Sequence, residues 1–230
     1  MKLKLLLLHG ALGNKDQFAS LKEKLISQFD IYDFNFSGHG SNTNDVEFSI
    51  ELFMEDTLFF LDAYNLDNVN IFGYSMGGYV ALKLAKEHPE FVNKIMTLGT
   101  KFHWNKESAE KEVKMLNPEI IEEKIPKFAE DLRQNHFPND WKSIMRKTAA
   151  MMTSLGNGTA MKPSDFAAIA QPVLICVGAE DKMVTIGESQ AIADLLQDAD
   201  LMVIPGFKHP IELNDVEILS TLIQNYFKGR

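Results

Sequence analysis

The chain contains six short apolar runs that are nearly continuous rather than alternating with polar residues. A strand with one face in water shows apolar and polar residues in turn, whereas a parallel strand covered by helices on both faces is apolar throughout. The runs therefore predict a parallel sheet between two layers of helices. They are Leu3–Leu8, Ile31–Phe36, Val69–Tyr74, Lys94–Gly99, Val173–Val177 and Leu201–Ile204.

Helical patterns separate most of these runs. In Lys15–Phe29, apolar side chains including Phe18, Leu21 and Leu25 recur at the spacing of an amphipathic helix. The same spacing is found in Ser49–Leu66, Gly77–His88, Ile186–Leu196 and Val216–Phe227. Alternating strands and helices predict an α/β fold with a doubly wound, mostly parallel, six-stranded sheet.

Residues 101–170 interrupt this alternation. They contain no clear strand, and a loop of that length is unusual in a compact domain. We therefore expect a helical insertion at 101–170 in a core formed by residues 1–100 and 171–230. Its expected helical segments are Ser108–Leu116, Pro118–Gln134 and Asp140–Leu155.

The formal net charge of −9 argues against binding to nucleic acid or to anionic membrane surfaces. No apolar run approaches the ~18 residues of a membrane span, and the first run is too short for a signal peptide. With a single cysteine, Cys176, the chain is expected to be soluble and cytoplasmic. No G-x-G-x-x-G motif follows the first run and no His or carboxylate cluster has ligand spacing, so neither a cofactor nor a metal is expected.

The most informative motif is Gly73-Tyr74-Ser75-Met76-Gly77, which joins a predicted strand to a predicted helix. A sharp strand-to-helix turn exposes a serine hydroxyl, and flanking glycines keep other side chains away from it. The helix N-terminus also favours negative charge developing nearby. Ser75 is therefore the candidate nucleophile.

A serine nucleophile needs a base, and the base needs an acid to orient it. His209 follows the last predicted strand, and Asp181 or its neighbour Glu180 follows the preceding one. The carboxyl ends of parallel strands are where such sheets bind ligands. We predict His209 as the base and Asp181 as the acid, with Glu180 as an open alternative.

An oxyanion formed at a carbonyl needs backbone donors. The amide of Met76, directly after the nucleophile, is one candidate. The other is the amide of Ala11, which follows His9-Gly10 at the end of the first strand.

Together these features resemble the α/β-hydrolases. The resemblance rests on His9-Gly10, Gly38-His39-Gly40-Ser41, the Ser75 motif, Asp181 and His209. It implies a Ser75–His209–Asp181 triad, an oxyanion hole from Ala11 and Met76, and a lid at residues 101–170. The chain departs from the family in lacking the usual N-terminal hairpin and in having Asn35-Phe36-Ser37-Gly38 where Asp-x-Pro-Gly is usual. The missing hairpin leaves a sheet edge that a partner could cover, so we expect a monomer or a homodimer.

The predicted lid is nearly neutral and rich in methionine and aromatic residues, which favours an apolar, uncharged substrate. We assign substrate binding to Leu12, Tyr74, Trp104, Trp141 and Met145. The implied function is a serine hydrolase that cleaves a small to medium, largely uncharged carboxylic ester or thioester through a Ser75 acyl-enzyme. Alternatives are a lyase of the menaquinone-pathway type or a C–C bond hydrolase with the same triad, and a non-catalytic ligand sensor.

Overall fold

Six parallel strands form one sheet in the order β2-β1-β3-β4-β5-β6. The structure is a computed structural model that describes residues 2–229. The strands are β1 (Leu3–Leu8), β2 (Phe29–Asp33), β3 (Val69–Tyr74), β4 (Val92–Leu98), β5 (Val173–Gly178) and β6 (Ala199–Ile204). The α/β fold and the six-stranded, doubly wound sheet are confirmed, and every strand pairing is parallel.

Ten α-helices accompany the sheet within the described residues. They are α1 (Ala19–Leu25), α2 (Ile50–Ala63), α3 (Met76–Glu87), α4 (Lys106–Val113), α5 (Pro118–Lys124), α6 (Pro126–His136), α7 (Trp141–Ser154), α8 (Pro163–Ala167), α9 (Ile186–Ala193) and α10 (Val216–Lys228). None of them is both long enough and apolar enough to cross a membrane.

The continuous apolar runs are explained by burial on both faces of the sheet. In β1, Leu6 and Leu8 pack into a core with α2, α3 and α9, whereas Leu5 and Leu7 pack into a second core with α1 and α10. Alternate residues of one strand thus enter different cores, which removes any period of two from the sequence.

The second strand lies earlier in the chain than the predicted Ile31–Phe36. It pairs with β1 from Leu3↔Phe29 to Leu7↔Asp33, and the chain then leaves the sheet. The aromatic residues after Asp33 still reach the core, since Phe36 is fully buried. Because these aromatic residues are buried outside the sheet, the segment Ile31–Phe36 has the apolar sequence pattern of a strand.

Between β4 and β5 the chain forms helices α4 to α8, and α7 continues into a short π-helical turn, Leu155–Thr159. The predicted segment Pro118–Gln134 is two helices rather than one. A proline cannot donate a backbone hydrogen bond and disfavours helical geometry in the preceding residue. Ile125 accordingly leaves the helical region at φ −134°, ψ 60°, and Pro126 begins α6.

Candidate active site

Ser75 occupies a sharp turn between β3 and α3. It has φ 51° and ψ −115°, a conformation that costs free energy for a residue with a side chain. Two hydrogen bonds hold it there: the Ser75 N–H donates to the Leu98 carbonyl (2.8 Å), and the Thr100 hydroxyl donates to the Ser75 carbonyl (2.9 Å). The serine is thus fixed at the carboxyl edge of the sheet.

Close packing at this turn explains its glycines. A Cβ at Gly77 would lie 2.1 Å from the Leu8 carbonyl oxygen, and one at Gly73 would lie 2.4 Å from the Cα of Gly78. Any side chain at these positions would push α3 away from β1 and β3. The motif is therefore required by the packing of helix on sheet as well as by access to Ser75.

The three residues predicted as a triad lie in contact. The Ser75 Oγ is 3.3 Å from the His209 Nε2, and the His209 Nδ1 is 2.9 Å from the Asp181 Oδ2. A carboxylate can only accept, so the neutral imidazole carries its proton on Nδ1 and presents an unprotonated Nε2 to Ser75. This is the tautomer that can take a proton from the serine hydroxyl.

Asp181, and not Glu180, is the acid that contacts His209. The Asp181 side chain is 1% exposed, and its Oδ1 accepts from the amides of Met183 (2.8 Å) and Val184 (2.9 Å). Burial alone would raise the pKa of the Asp181 carboxyl, but the hydrogen bond and charge of His209 and these two amides together lower it. Glu180 is exposed and faces Lys208 at 4.0 Å.

Two further residues help to position Asp181 and His209. The Tyr74 hydroxyl donates to the His209 carbonyl at 2.8 Å, which ties the loop after β6 to β3. Gly99 has φ 62°, and a Cβ there would lie 3.3 Å from the Asp181 Oδ2 and 3.4 Å from the His209 Nδ1. The absence of a side chain at Gly99 leaves room for both partners.

Ser75 and His209 open into a cavity whose empty volume, including its mouth, is about 490 Å³. Ala11 and Met76 lie beside Ser75 in its wall, and most of the remaining lining is apolar. The other lining residues are Ile50, Tyr79, Lys101, Trp104, Glu112, Met151, Met152, Leu155 and Met183.

Of the five residues predicted to bind substrate, Trp104 is among the described residues that line this cavity. Leu12, Tyr74, Trp141 and Met145 are not part of the lining. Trp141 and Met145 are buried in a separate cluster that Leu12 packs against. This cluster joins α7 to the turn after β1. These positions argue against the predicted role of the four residues in substrate binding.

A histidine from the inserted segment reaches the core loops beside the cavity. The Gly40 N–H donates to the Nδ1 of His136 at 3.0 Å, so the Nε2 carries the proton and donates to the Leu12 carbonyl at 3.0 Å. The Asn14 side chain adds a hydrogen bond to the Asn135 carbonyl at 2.8 Å. The end of α6 is thus bound to the loops that follow β1 and β2.

Several residues that line this cavity are not predicted from the sequence. Lys101 and Glu112 are the charged members of the cavity lining, and they form an ion pair at 3.3 Å. Glu112 belongs to Lys106–Val113, where three glutamates and two lysines share eight positions. Its burial is not encoded by any local pattern, whereas Met151 and Met152 belong to the methionine-rich segment from which an apolar site is predicted.

The chain matches proteins of known family over most of its length. A family model described as alpha/beta hydrolase fold matches residues 5–153. An esterase from Thermogutta terrifontis superposes with a TM-score of 0.80 at 18% identity, covering 99% of this chain and 90% of the other.

Curated relatives include a protein of Caulobacter sp. (strain K31) whose name describes it as the carbamate hydrolase RutD. It is 22% identical over 251 residues, covering 97% of this chain and 90% of the relative. Ethanol acetyltransferase 1 of Kluyveromyces marxianus is 32% identical over 84 residues, and the match covers 36% of this chain but only 23% of that relative's length. Since the family model covers well over half of the 230 residues, the chain belongs to the α/β-hydrolase fold family.

Proposed function

We propose that this protein is a serine hydrolase that cleaves a small to medium, largely uncharged carboxylic ester or thioester through an acyl-enzyme on Ser75. The observation that carries the proposal is the continuous contact from Ser75 through His209 to Asp181, with separations of 3.3 and 2.9 Å. A serine with a base in reach, and a base oriented by a buried carboxylate, is the arrangement that nucleophilic acyl transfer requires.

In the first half-reaction the Ser75 Oγ attacks the ester carbonyl carbon while His209 Nε2 takes the hydroxyl proton. The backbone N–H groups of Ala11 and Met76 stabilise the oxyanion. Both residues line the cavity beside Ser75, and neither amide donates to another residue within 2–229. Donors aimed at a developing oxyanion contribute strongly to catalysis because they need no reorganisation.

Collapse of the tetrahedral intermediate breaks the carbon–oxygen bond to the alcohol, which leaves with the proton from His209. His209 Nε2 then takes a proton from water, whose oxygen attacks the acyl carbon of the Ser75 ester. Breakdown of the second intermediate releases the carboxylic acid and returns the proton to Ser75. Throughout, the Asp181 carboxylate offsets the positive charge that forms on the imidazole.

Residues 101–170 act as the lid of this site. Trp104, Met151, Met152 and Leu155 from this segment line the cavity together with Ile50 of the core. Such apolar walls suit an uncharged acyl or alkyl group, and thioethers adapt to varied shapes. The names of the relatives, which refer to an esterase, an acetyltransferase and a carbamate hydrolase, all describe reactions at an acyl carbon.

The proposal is tested by hydrolysis of 4-nitrophenyl esters of increasing acyl length, with the Ser75→Ala variant as the control. We expect turnover with a defined optimum of chain length and loss of that turnover in Ser75→Ala. A wild-type protein that hydrolyses no member of the series, or a Ser75→Ala variant as active as wild type, would overturn the proposal.

A further inference from the structure

Glu112 is a buried glutamate in the wall of the cavity of the proposed hydrolase. Its side chain is 3% exposed, and it lines the same cavity as Ser75 and His209. The Oε1 lies 3.3 Å from the Nζ of Lys101. No residue in the described part of the chain donates a hydrogen bond to the other oxygen, Oε2.

A buried carboxylate oxygen without a donor is costly, because the carboxylate has given up its hydration and gained nothing at that atom. The ammonium of Lys101 does not supply the missing bond, since it contacts Oε1 and also donates to the Met183 carbonyl at 3.3 Å. Most of the other residues in the lining, such as Met152 and Leu155, have apolar side chains with no donor to offer. Glu112 Oε2 is therefore an acceptor without a donor, in a residue that lines the cavity.

We propose that Oε2 of Glu112 accepts a hydrogen bond from a hydroxyl group on the substrate. The natural substrate is then an ester that carries a free, uncharged hydroxyl in addition to the bond cleaved. This inference rests on the proposed function, because it concerns the substrate of the same site. It makes Glu112 a specificity-determining residue with no part in the proton transfers.

The charges beside Oε2 favour a neutral group over an ionic one. A substrate ammonium at Oε2 would lie near Lys101, and a substrate carboxylate would be repelled by Glu112 itself. A hydroxyl can donate to Oε2 while its own oxygen accepts from the Lys101 ammonium, so it complements both members of the pair. A site built to bind a hydroxyl discriminates strongly against analogues that lack it.

The test compares esters that differ only in a hydroxyl replacing a methyl group. Suitable pairs are 4-nitrophenyl 3-hydroxybutanoate with 3-methylbutanoate, 4-nitrophenyl 6-hydroxyhexanoate with heptanoate, and 2-hydroxyethyl butanoate with propyl butanoate. These place the hydroxyl near the acyl carbon, far from it, or in the leaving alcohol. The measured quantity is the ratio of kcat/KM, hydroxyl ester over methyl ester, for wild type, Glu112→Gln and Glu112→Leu.

We expect at least one pair for which the wild-type ratio exceeds the Glu112→Leu ratio by about tenfold to a hundredfold. Glu112→Gln keeps a carbonyl acceptor without the charge, so its ratio should fall between the two. Comparing ratios cancels the intrinsic reactivity of each ester. Glu110→Gln, an exposed glutamate on the same helix, is the matched control and should keep the wild-type ratio.

A structural role for the Lys101–Glu112 pair would lower the rates of both esters together and leave their ratio unchanged. Equal ratios in wild type and both Glu112 variants, for all three pairs, would overturn the inference while ester turnover still supported the proposed function. If Glu112→Leu does not fold, the ratio in Glu112→Gln decides. A wild-type protein that hydrolyses no ester would overturn the proposed function and this inference with it.

Discussion

The imidazole of His136 donates a hydrogen bond from Nε2 to the carbonyl oxygen of Leu12 at 3.0 Å. Leu12 has φ 58°, an unfavourable conformation for a leucine, and it follows Ala11, one of the proposed oxyanion donors. His136 itself is fully buried and comes from the helical insertion. A residue of the insertion therefore supports a strained turn of the core beside Ser75.

Replacing this imidazole should impair catalysis. In His136→Phe the Leu12 carbonyl and the Gly40 amide both lose a partner, so the turn can relax and Ala11 can move. We expect kcat to fall by about tenfold, less than the loss of a whole oxyanion donor, with a smaller change in KM. Steady-state kinetics on the best 4-nitrophenyl ester measure this.

His136→Gln retains a side-chain donor and should recover part of the lost rate. His103→Gln, at an exposed histidine of the same segment, serves as the control. An unchanged kcat in His136→Phe would show that the turn after β1 does not depend on this hydrogen bond.

Three buried histidines should make stability depend on pH. The ring centroids of His9 and His39 are 5.2 Å apart, and those of His39 and His136 are 5.8 Å apart. Burial, with smaller contributions from the neighbouring imidazoles, lowers the pKa of His9 from 6.5 to about 4 and that of His39 well below 6.5. Burial also lowers the pKa of His136, so all three rings are neutral in the folded protein at pH 7.

Well above pH 6.5 the folded and unfolded states both hold neutral histidines at these positions, and these groups leave stability unchanged. As the pH falls from 6.5 towards 4, the unfolded chain binds protons that the folded chain does not, so the free energy of unfolding decreases. The loss for His9 alone is about 3 kcal/mol. Urea unfolding at pH 7.0, 6.0, 5.0 and 4.5 should show this decline.

His39→Asn should reduce the slope, because it removes one imidazole that the unfolded chain protonates and the folded chain does not. The asparagine amide can still donate to the Ser37 carbonyl, as the His39 Nδ1 does at 3.1 Å. A free energy of unfolding that stays constant between pH 7.0 and 4.5 in the wild type would contradict the assignment of neutral buried rings.

Gly99 provides a geometric test of the Asp–His pair. In Gly99→Ala the new Cβ would lie 3.3 Å from the Asp181 Oδ2, and the left-handed φ would be strained as well. We expect kcat to fall by about tenfold or more, because small displacements of catalytic groups are costly.

The Gly206→Ala variant separates the effect of backbone strain from the effect of a new side chain that crowds Asp181 and His209. Gly206 has φ 76°, yet a Cβ there meets nothing within 4 Å. It should lose about 1 kcal/mol of stability while keeping its kcat. Equal losses of kcat in both variants would mean that backbone strain, and not crowding of Asp181 and His209, explains the Gly99 effect.

Replacing Asp181 and replacing its neighbour Glu180 should have very different effects on kcat. Asp181→Asn removes the carboxylate that orients the His209 tautomer, and we expect kcat to fall by about 10³- to 10⁴-fold. Glu180→Gln changes an exposed side chain that faces solvent and Lys208, so its kcat should stay within about twofold of wild type. Comparable losses in the two variants would remove Asp181 from the proposed triad.

The sheet could be predicted from the sequence because local patterns encode it. The run Val69–Tyr74 coincides with β3, and the glycines around Ser75 mark the turn that follows it. The expected order of Ser75, Asp181 and His209 along the chain also brings them together, since all three follow the carboxyl ends of strands.

The cavity wall could not be predicted in the same way, because it depends on how the insertion folds over the core. Trp141 is apolar, but it packs into a separate cluster, whereas Glu112, in a strongly charged helix, is buried against Lys101. Similarly, His136 shows no local signal for its bonds to Leu12 and Gly40, residues 124 and 96 positions away. Long-range contacts of this kind carry no periodicity for a sequence reading to detect.

Active-site labelling tests most directly whether Ser75 is an activated nucleophile. The folded wild type is treated with a fluorophosphonate, and the intact mass and the modified peptide are measured beside Ser75→Ala and Asp181→Asn. We predict one adduct on Ser75, none on Ser75→Ala, and much slower labelling of Asp181→Asn. A folded wild-type protein that takes no label, or that is labelled at another residue while Ser75 stays free, would contradict the account.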